Sequence, residues 1–158
     1  YGFCHYRRYF NFSSTVYEEN PYGEIMDDYI DADAVAKYGL DDRTITDAVQ
    51  GYDVITTRYG NLKEIIEKHG TPKAVWEAAS KLIDEDLHRM YDILCTMHPE
   101  YKQDAIAFLN GNRSCFCNMF IMRKEIFFEY NEWLFPLLDE FAMTTDFRFS
   151  NSSRSARI

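Results

Sequence analysis

The sequence predicts an α/β domain in which a layered sheet carries helices on both faces. Three segments rich in aromatic, β-branched or apolar residues have the pattern of strands: residues 2–6, 52–57 and 115–122. Longer stretches with helical spacing separate them, and such alternation favours a layered sheet with covering helices. With 158 residues, 46% of them hydrophobic, the chain is long enough for a single domain with its own core.

The first half of the chain predicts short elements joined by loops. Residues 11–31 combine Asn, Ser, Pro, Gly and acidic residues, which predicts a loop with a turn at residues 20–23. Residues 33–38 predict a short helix that ends at Gly39. A brief turn is expected over residues 46–50, before the second strand.

The middle of the chain predicts helices. Apolar spacing over residues 62–69 predicts a helix that ends at Gly70. The pair Thr71-Pro72 predicts another helix start, since a hydroxyl can cap the helix and proline suits its first position. The apolar stripe over residues 75–94 fits either one helix or two helices with a break near residues 84–86.

The last third predicts a helix, a strand and a long helix. A short helix is expected over residues 99–109, ended by Gly111. The strand at residues 115–122 is almost wholly apolar and should therefore be central and covered on both faces. A long amphipathic helix follows over residues 123–141, and Pro136 inside it should produce a kink.

Composition and charge exclude some classes of protein. The formal net charge of −9 argues against a nucleic-acid binder, because such proteins need a broad basic face. It leaves room for one small basic site that binds a single anionic ligand. No apolar run reaches the roughly 20 residues of a membrane span. Because the chain opens directly on a strand and its last residues show no helix stop, an incomplete domain is expected.

The segment H-Y-R-R-Y-F over residues 5–10 is the first candidate site. It places His5, Arg7 and Arg8 near the carboxyl end of the predicted strand, where open α/β sheets bind ligands. On a continuous strand Arg7 and Arg8 would face opposite ways. Guanidinium groups bind phosphate oxygens through paired hydrogen bonds, so the segment favours a phosphate or diphosphate site. The alternative is that these arginines pair with acidic residues of the chain.

Two further positions carry candidate chemistry. Asp31 and Asp33 form a D-x-D pair, which in many nucleotide-sugar enzymes holds Mn²⁺ or Mg²⁺. No buried strand leads into this pair, so an exposed acidic helix start is the favoured interpretation. Asn118 stands alone among apolar residues, and a buried amide there would need backbone partners or a ligand hydroxyl.

Four segments together resemble the DUF4422 family, whose domains occur in bacterial capsular, exopolysaccharide and O-antigen biosynthesis proteins and are assigned to the GT-A class of glycosyltransferases. They are H-Y-R-R-Y-F at residues 5–10, Y-D-V-I at 52–55, N-M-F-I-M-R-K at 118–124 and Y-N-E-W-L-F at 130–135. The resemblance extends from Gly2 to about Phe141. It implies one GT-A-like domain over residues 1–158 that lacks an N-terminal strand–helix region and a C-terminal end.

The resemblance implies a reaction and roles for residues. The expected activity is transfer of a hexose, with galactose as the first candidate, from a nucleotide diphosphate sugar such as a UDP-hexose to a bacterial surface polysaccharide or lipid-linked glycan. Departure of the nucleoside diphosphate needs stabilisation of negative charge, which is assigned to the catalytic residues His5, Arg7 and Arg8. Five residues are assigned to donor or acceptor binding: Tyr6, Thr57, Arg58, Asn118 and Met119.

The segment at residues 5–8 occupies the place that D-x-D has in GT-A enzymes. Arginines that contact the diphosphate directly could replace the charge of a metal, yet the resemblance leaves Mn²⁺ or Mg²⁺ open. The expected location is the cytoplasm, with peripheral attachment to the inner membrane face through other parts of a longer protein left open. The alternatives are a non-catalytic domain that binds a nucleotide or a partner, and a phosphate-handling hydrolase that uses His5 and Asp33.

Overall fold

The computed structural model describes residues 1–3, 7–66, 68–116 and 118–145. The strands in these ranges are two or three residues long. They are Gly2–Phe3 (β1), Arg8–Tyr9 (β2), Ile25–Met26 (β3), Val54–Thr56 (β4), Gly60–Asn61 (β5), Arg113–Ser114 (β6) and Phe120–Met122 (β7).

Helices make up most of the second half of the chain. The α-helices are Ala32–Tyr38 (α1), Asp42–Val49 (α2), Leu62–Ile65 (α3), Pro72–Ala78 (α4), Asp84–Met97 (α5), Lys102–Asn110 (α6) and Lys124–Thr144 (α7). A short 3₁₀ helix, Pro99–Tyr101, joins α5 to α6. Within the described ranges, no helix is both long and apolar enough to cross a bilayer.

Strand β7 is the centre of a three-stranded sheet with the order β1-β7-β4, which confirms the predicted central position. Both neighbours are antiparallel to β7, and Phe120 lies opposite Phe3 on one side and Thr56 on the other. Strands β1 and β4 therefore run in the same direction, and the chain leaves both of them at one edge of the sheet. Two smaller sheets pair β2 with β3 and β5 with β6.

Aromatic rings join the sheet to the long helix α7. The Phe120 ring is buried and lies 5.3 Å from the Phe3 ring and 5.6 Å from the Tyr130 ring, in edge-to-face geometry. Phe127 lies within 6.4 Å of both phenylalanine rings. Burial of such rings, with the added attraction of edge-to-face pairs, fixes α7 against the sheet.

Several helix boundaries are confirmed. The Asp31 carboxylate caps α1, which ends at Gly39 in the left-handed conformation (φ 63°). The Thr71 hydroxyl accepts a hydrogen bond from the Ala74 amide at 3.1 Å and caps α4, with Pro72 in its first turn. The stripe over residues 75–94 forms two helices, α4 and α5, but the break lies at residues 79–83, before the predicted residues 84–86, which begin α5. Helix α6 ends at Gly111 as expected.

The predicted strands are longer than the observed ones. Strand β4 covers Val54–Thr56 of the predicted residues 52–57, and β7 covers Phe120–Met122 of residues 115–122. The reason at β7 is that Asn118 has a left-handed backbone (φ 46°), which a strand cannot continue through. The part of the first predicted strand at residues 4–6 lies outside the described residues.

Three other predictions about local structure are wrong. The loop predicted over residues 11–31 contains β3, although the turn at residues 20–23 is present. Residues 46–49 lie within α2, which Asp41 caps by accepting a hydrogen bond from the Thr44 amide. The helix expected to reach Gly70 ends after Ile65, where two adjacent β-branched isoleucines weaken helical preference.

Candidate functional site

A cavity of about 290 Å³ lies at the sheet edge where the chain leaves β1 and β4. Four residues predicted from the sequence line it together: Arg8, Thr57, Arg58 and Met119. They come from β2, from the segment after β4 and from the residue before β7. Aromatic residues add to its wall, among them Tyr9, Phe10 and Tyr17. Topology therefore gathers residues that are more than a hundred positions apart in sequence.

Arg8 belongs to the wall formed by β2 and β3. Its Nε lies 2.9 Å from Oε1 of Glu24, whose side chain is 5% exposed, against 23% for Arg8. The Asn20 side-chain amide donates to the other Glu24 oxygen at 2.6 Å. Asn20 Oδ1 also accepts from the Glu24 backbone amide at 3.0 Å. The turn at residues 20–23 thus positions Glu24, and Glu24 holds the guanidinium of Arg8 at the cavity.

Arg58, immediately after β4, belongs to a second wall of the cavity. Its guanidinium forms an ion pair with the Glu19 carboxylate. This pair is more open than the first, with side-chain exposure of 73% for Arg58 and 33% for Glu19. Gly23 lies beside it with a φ of 74°, and a Cβ there would contact both charged groups at 3.8 Å. That distance is an ordinary contact, so the positive φ of the turn, and not a lack of space, is what favours glycine here.

Thr57 and Met119 also line the cavity. The Thr57 hydroxyl donates to the Phe116 carbonyl oxygen at 3.2 Å, which connects the end of β4 to the segment before β7. Met119 is buried, with 5% exposure. The hydrogen bond and the burial fix these two side chains, so that they add one hydroxyl and one thioether to the lining of the cavity.

The structure separates Arg7 and Asn118 from the residues that line the cavity. Arg7 has a φ of 61°, so the prediction that Arg7 and Arg8 alternate on one strand is wrong. Its guanidinium lies 3.8 Å from the exposed Asp28 carboxylate. Asn118 is exposed, which contradicts the expected buried amide. His5 and Tyr6 lie outside the described residues, so their roles stay predictions.

The D-x-D pair lies at the start of α1, which is the interpretation that the sequence favours. Asp31 Oδ1 accepts a hydrogen bond from the Ala34 amide at 2.8 Å, and Asp33 lies in the first turn of α1. Carboxylates at this end of a helix stabilise it through the orphan N–H groups and the helix dipole. Among the described residues, no group of three or more His, Cys, Asp or Glu side chains converges as a metal site.

The two cavity carboxylates, Glu19 and Glu24, were missed by the sequence reasoning. Their signal was the turn N-P-Y-G that lies between them in sequence and brings both of them to the cavity. Nearby, hydrogen bonds from the Tyr38 hydroxyl and from Lys37 lower the pKa of Asp27, which follows β3. Ion pairs therefore lie at both ends of the wall of β2 and β3: Glu24 pairs with Arg8 before β3, and Asp27 pairs with Lys37 after it.

The fold is that of a glycosyltransferase segment. The chain superposes on the apo structure of the bifunctional glycosyltransferase WbbM with a TM-score of 0.85 and 29% identity. The match covers 96% of this chain and 26% of WbbM, so the chain spans about a quarter of that protein's length. None of the curated proteins matches the chain.

The DUF4422 profile, described as a domain of unknown function, matches residues 1–158. The chain belongs to the DUF4422 family, and the resemblance drawn from its sequence motifs is confirmed.

Proposed function

We propose that this chain is a glycosyltransferase domain that moves a hexose from a nucleotide diphosphate sugar to a glycan or lipid-linked acceptor of the bacterial surface. The observation that carries the proposal is the cavity where the chain leaves β1 and β4, which both Arg8 and Arg58 line. The likeness to a glycosyltransferase supports the reaction class. We propose that the domain acts in the cytoplasm, because activated sugars are made there.

In the proposed reaction the arginines stabilise the leaving group, which is the nucleoside diphosphate. As the bond between the sugar C1 and the β-phosphate oxygen breaks, that oxygen gains negative charge. The acceptor hydroxyl oxygen forms the new bond to C1, and its proton passes to the departing diphosphate or to solvent. Arg8 and Arg58 would bind the diphosphate oxygens through charge-assisted hydrogen bonds that strengthen as the charge develops. Thr57 and Met119 would contact the sugar or the acceptor, and His5 and Tyr6 keep their predicted supporting roles.

The described carboxylates do not fit a divalent metal at this cavity. Asp31 accepts an amide hydrogen bond of its own helix, and Glu19 and Glu24 pair with arginines. Mn²⁺ and Mg²⁺ prefer several oxygen ligands directed at one point. We therefore propose that arginine side chains neutralise the charge of the diphosphate.

Calorimetric titration with UDP-galactose and UDP-glucose tests the proposal, together with an assay of UDP release in the presence of lipid-linked acceptors. We expect saturable binding that Arg58→Ala weakens by at least about 1.5 kcal/mol, the scale of a charge-assisted contact. Arg123→Ala is the matched control, because Arg123 pairs with Asp53 at 2.8 Å outside the residues that line the cavity. Saturable binding without transfer would favour the non-catalytic alternative, and absence of binding would contradict the proposal.

A further inference from the structure

We infer that Glu19 is a built-in competitor for the diphosphate and so sets the affinity of the cavity for its anionic ligand. The inference rests on the proposed function, because it concerns the same cavity. Its starting observation is that the Glu19 carboxylate holds the guanidinium of Arg58, the more exposed of the two cavity arginines. A carboxylate and a phosphate oxygen are both anionic acceptors for the same N–H groups.

The surroundings of Glu19 allow its carboxylate to leave. Within the described residues its hydrogen-bonding partner is Arg58, and a third of its side chain is exposed. Glu24 differs, because it is buried and Asn20 fixes its carboxylate and its backbone amide. Separation of Glu19 from Arg58 returns a carboxylate to solvent, whereas separation of Glu24 from Arg8 would leave a buried charge.

Competition follows from the geometry of one guanidinium. A diphosphate oxygen that binds Arg58 on the cavity side must displace the Glu19 carboxylate or stand next to it, and two like charges in contact repel. Displacement costs the free energy of breaking an exposed ion pair, and binding beside Glu19 costs the repulsion between like charges. Weaker anions meet the same competition from Glu19.

The test is a UDP titration of the whole chain with Glu19→Gln, which removes the charge but keeps the shape. We expect UDP affinity to rise about two- to fivefold, the range that an exposed ion pair supports. Glu18→Gln is the matched control, because the exposed neighbouring residue does not line this cavity and its loss changes net charge equally. Circular dichroism of each variant verifies the fold.

The possible outcomes separate this inference from the proposed function. Tighter binding with Glu19→Gln, and no change with Glu18→Gln, supports the inference. If the wild-type chain binds UDP and Glu19→Gln binds it equally or more weakly, the inference fails and the proposed function stands. Equal gains from both variants would mean that only net charge matters, which also overturns it. If neither the wild type nor Glu19→Gln binds UDP, both proposals fail.

Discussion

The two walls of the cavity carry the same chemical pair, an arginine with a glutamate, in different environments. Arg8 and Glu24 are joined where β2 meets β3, and the glutamate is buried. Arg58 and Glu19 are joined after β4, and both are much more exposed. Burial decides what each carboxylate does. A buried one positions its cation because separation would leave an unpaired charge, whereas an exposed one competes with any anion that arrives.

The largest expected difference between the walls is in stability. Glu24→Gln removes a buried charge that pairs with Arg8, and we expect a loss of about 2 kcal/mol in unfolding free energy. Glu19→Gln should change it by less than about 0.5 kcal/mol, because exposed pairs contribute little. Urea unfolding followed by circular dichroism measures both values. Equal losses from the two variants would mean that burial does not distinguish the walls.

Removal of each arginine separates binding from stability. Arg8→Ala and Arg58→Ala should each weaken UDP binding about tenfold, since each removes a charge-assisted contact. Arg8→Ala should also lower the unfolding free energy, because it leaves the Glu24 carboxylate buried without its cation, whereas Arg58→Ala should not. Paired calorimetry and urea unfolding give both quantities. A destabilised Arg58→Ala, or an Arg8→Ala variant of wild-type stability, would reverse the assignment.

Asp31, whose carboxylate lies outside both walls, provides a prediction of intermediate size for the change in unfolding free energy. Asp31→Ala removes the cap of α1 and should cost about 1 kcal/mol in unfolding free energy. UDP affinity should not change, with or without added Mn²⁺, because the Asp31 carboxylate accepts its own helix's amide hydrogen bond. Asp31→Asn, which retains a capping acceptor, is the conservative control. A loss of UDP binding in Asp31→Ala would return the D-x-D pair to the list of metal ligands.

The smallest expected effect is a pH dependence on the wall of β2 and β3. The pKa of Asp27 is lowered by the Tyr38 hydroxyl, 2.9 Å away, and by Lys37. A lowered folded-state pKa means that the contribution is complete above the unfolded pKa of about 4 and is lost as the pH falls below it. When the pH is lowered from 6 to 2, the unfolding free energy should therefore fall less steeply in Asp27→Asn than in the wild type. Identical slopes would contradict this assignment.

Local patterns predicted the elements that depend on neighbouring residues. The caps at Asp31 and Thr71 and the glycine stops at Gly39 and Gly111 follow from side-chain and backbone chemistry within one helical turn. The central position of β7 followed from its apolar run, which is suited to a strand with neighbours on both sides. Of the described residues assigned to the site, Arg8, Thr57, Arg58 and Met119 line one cavity, whereas Arg7 and Asn118 do not; their roles stay predictions.

The remaining features depend on contacts between distant segments or on single backbone angles. No local pattern distinguishes Glu24 from Glu19, because their difference in burial arises only when the turn between them folds against β2 and β4. The left-handed backbone of Asn118 interrupts a segment whose side chains favour a strand. Tertiary contacts override such propensities, so sequence pattern alone made the strand before Phe120 too long.

Nitrogen-15 spectra of the arginine side chains during a UDP titration test most directly whether this cavity binds the diphosphate. The Nε–H resonances of Arg8 and Arg58 should shift together and saturate at one dissociation constant. The resonance of Arg123, which pairs with Asp53 away from the cavity, should stay in place. Unchanged Arg8 and Arg58 resonances at saturating UDP, or equal shifts at Arg123, would contradict the assignment.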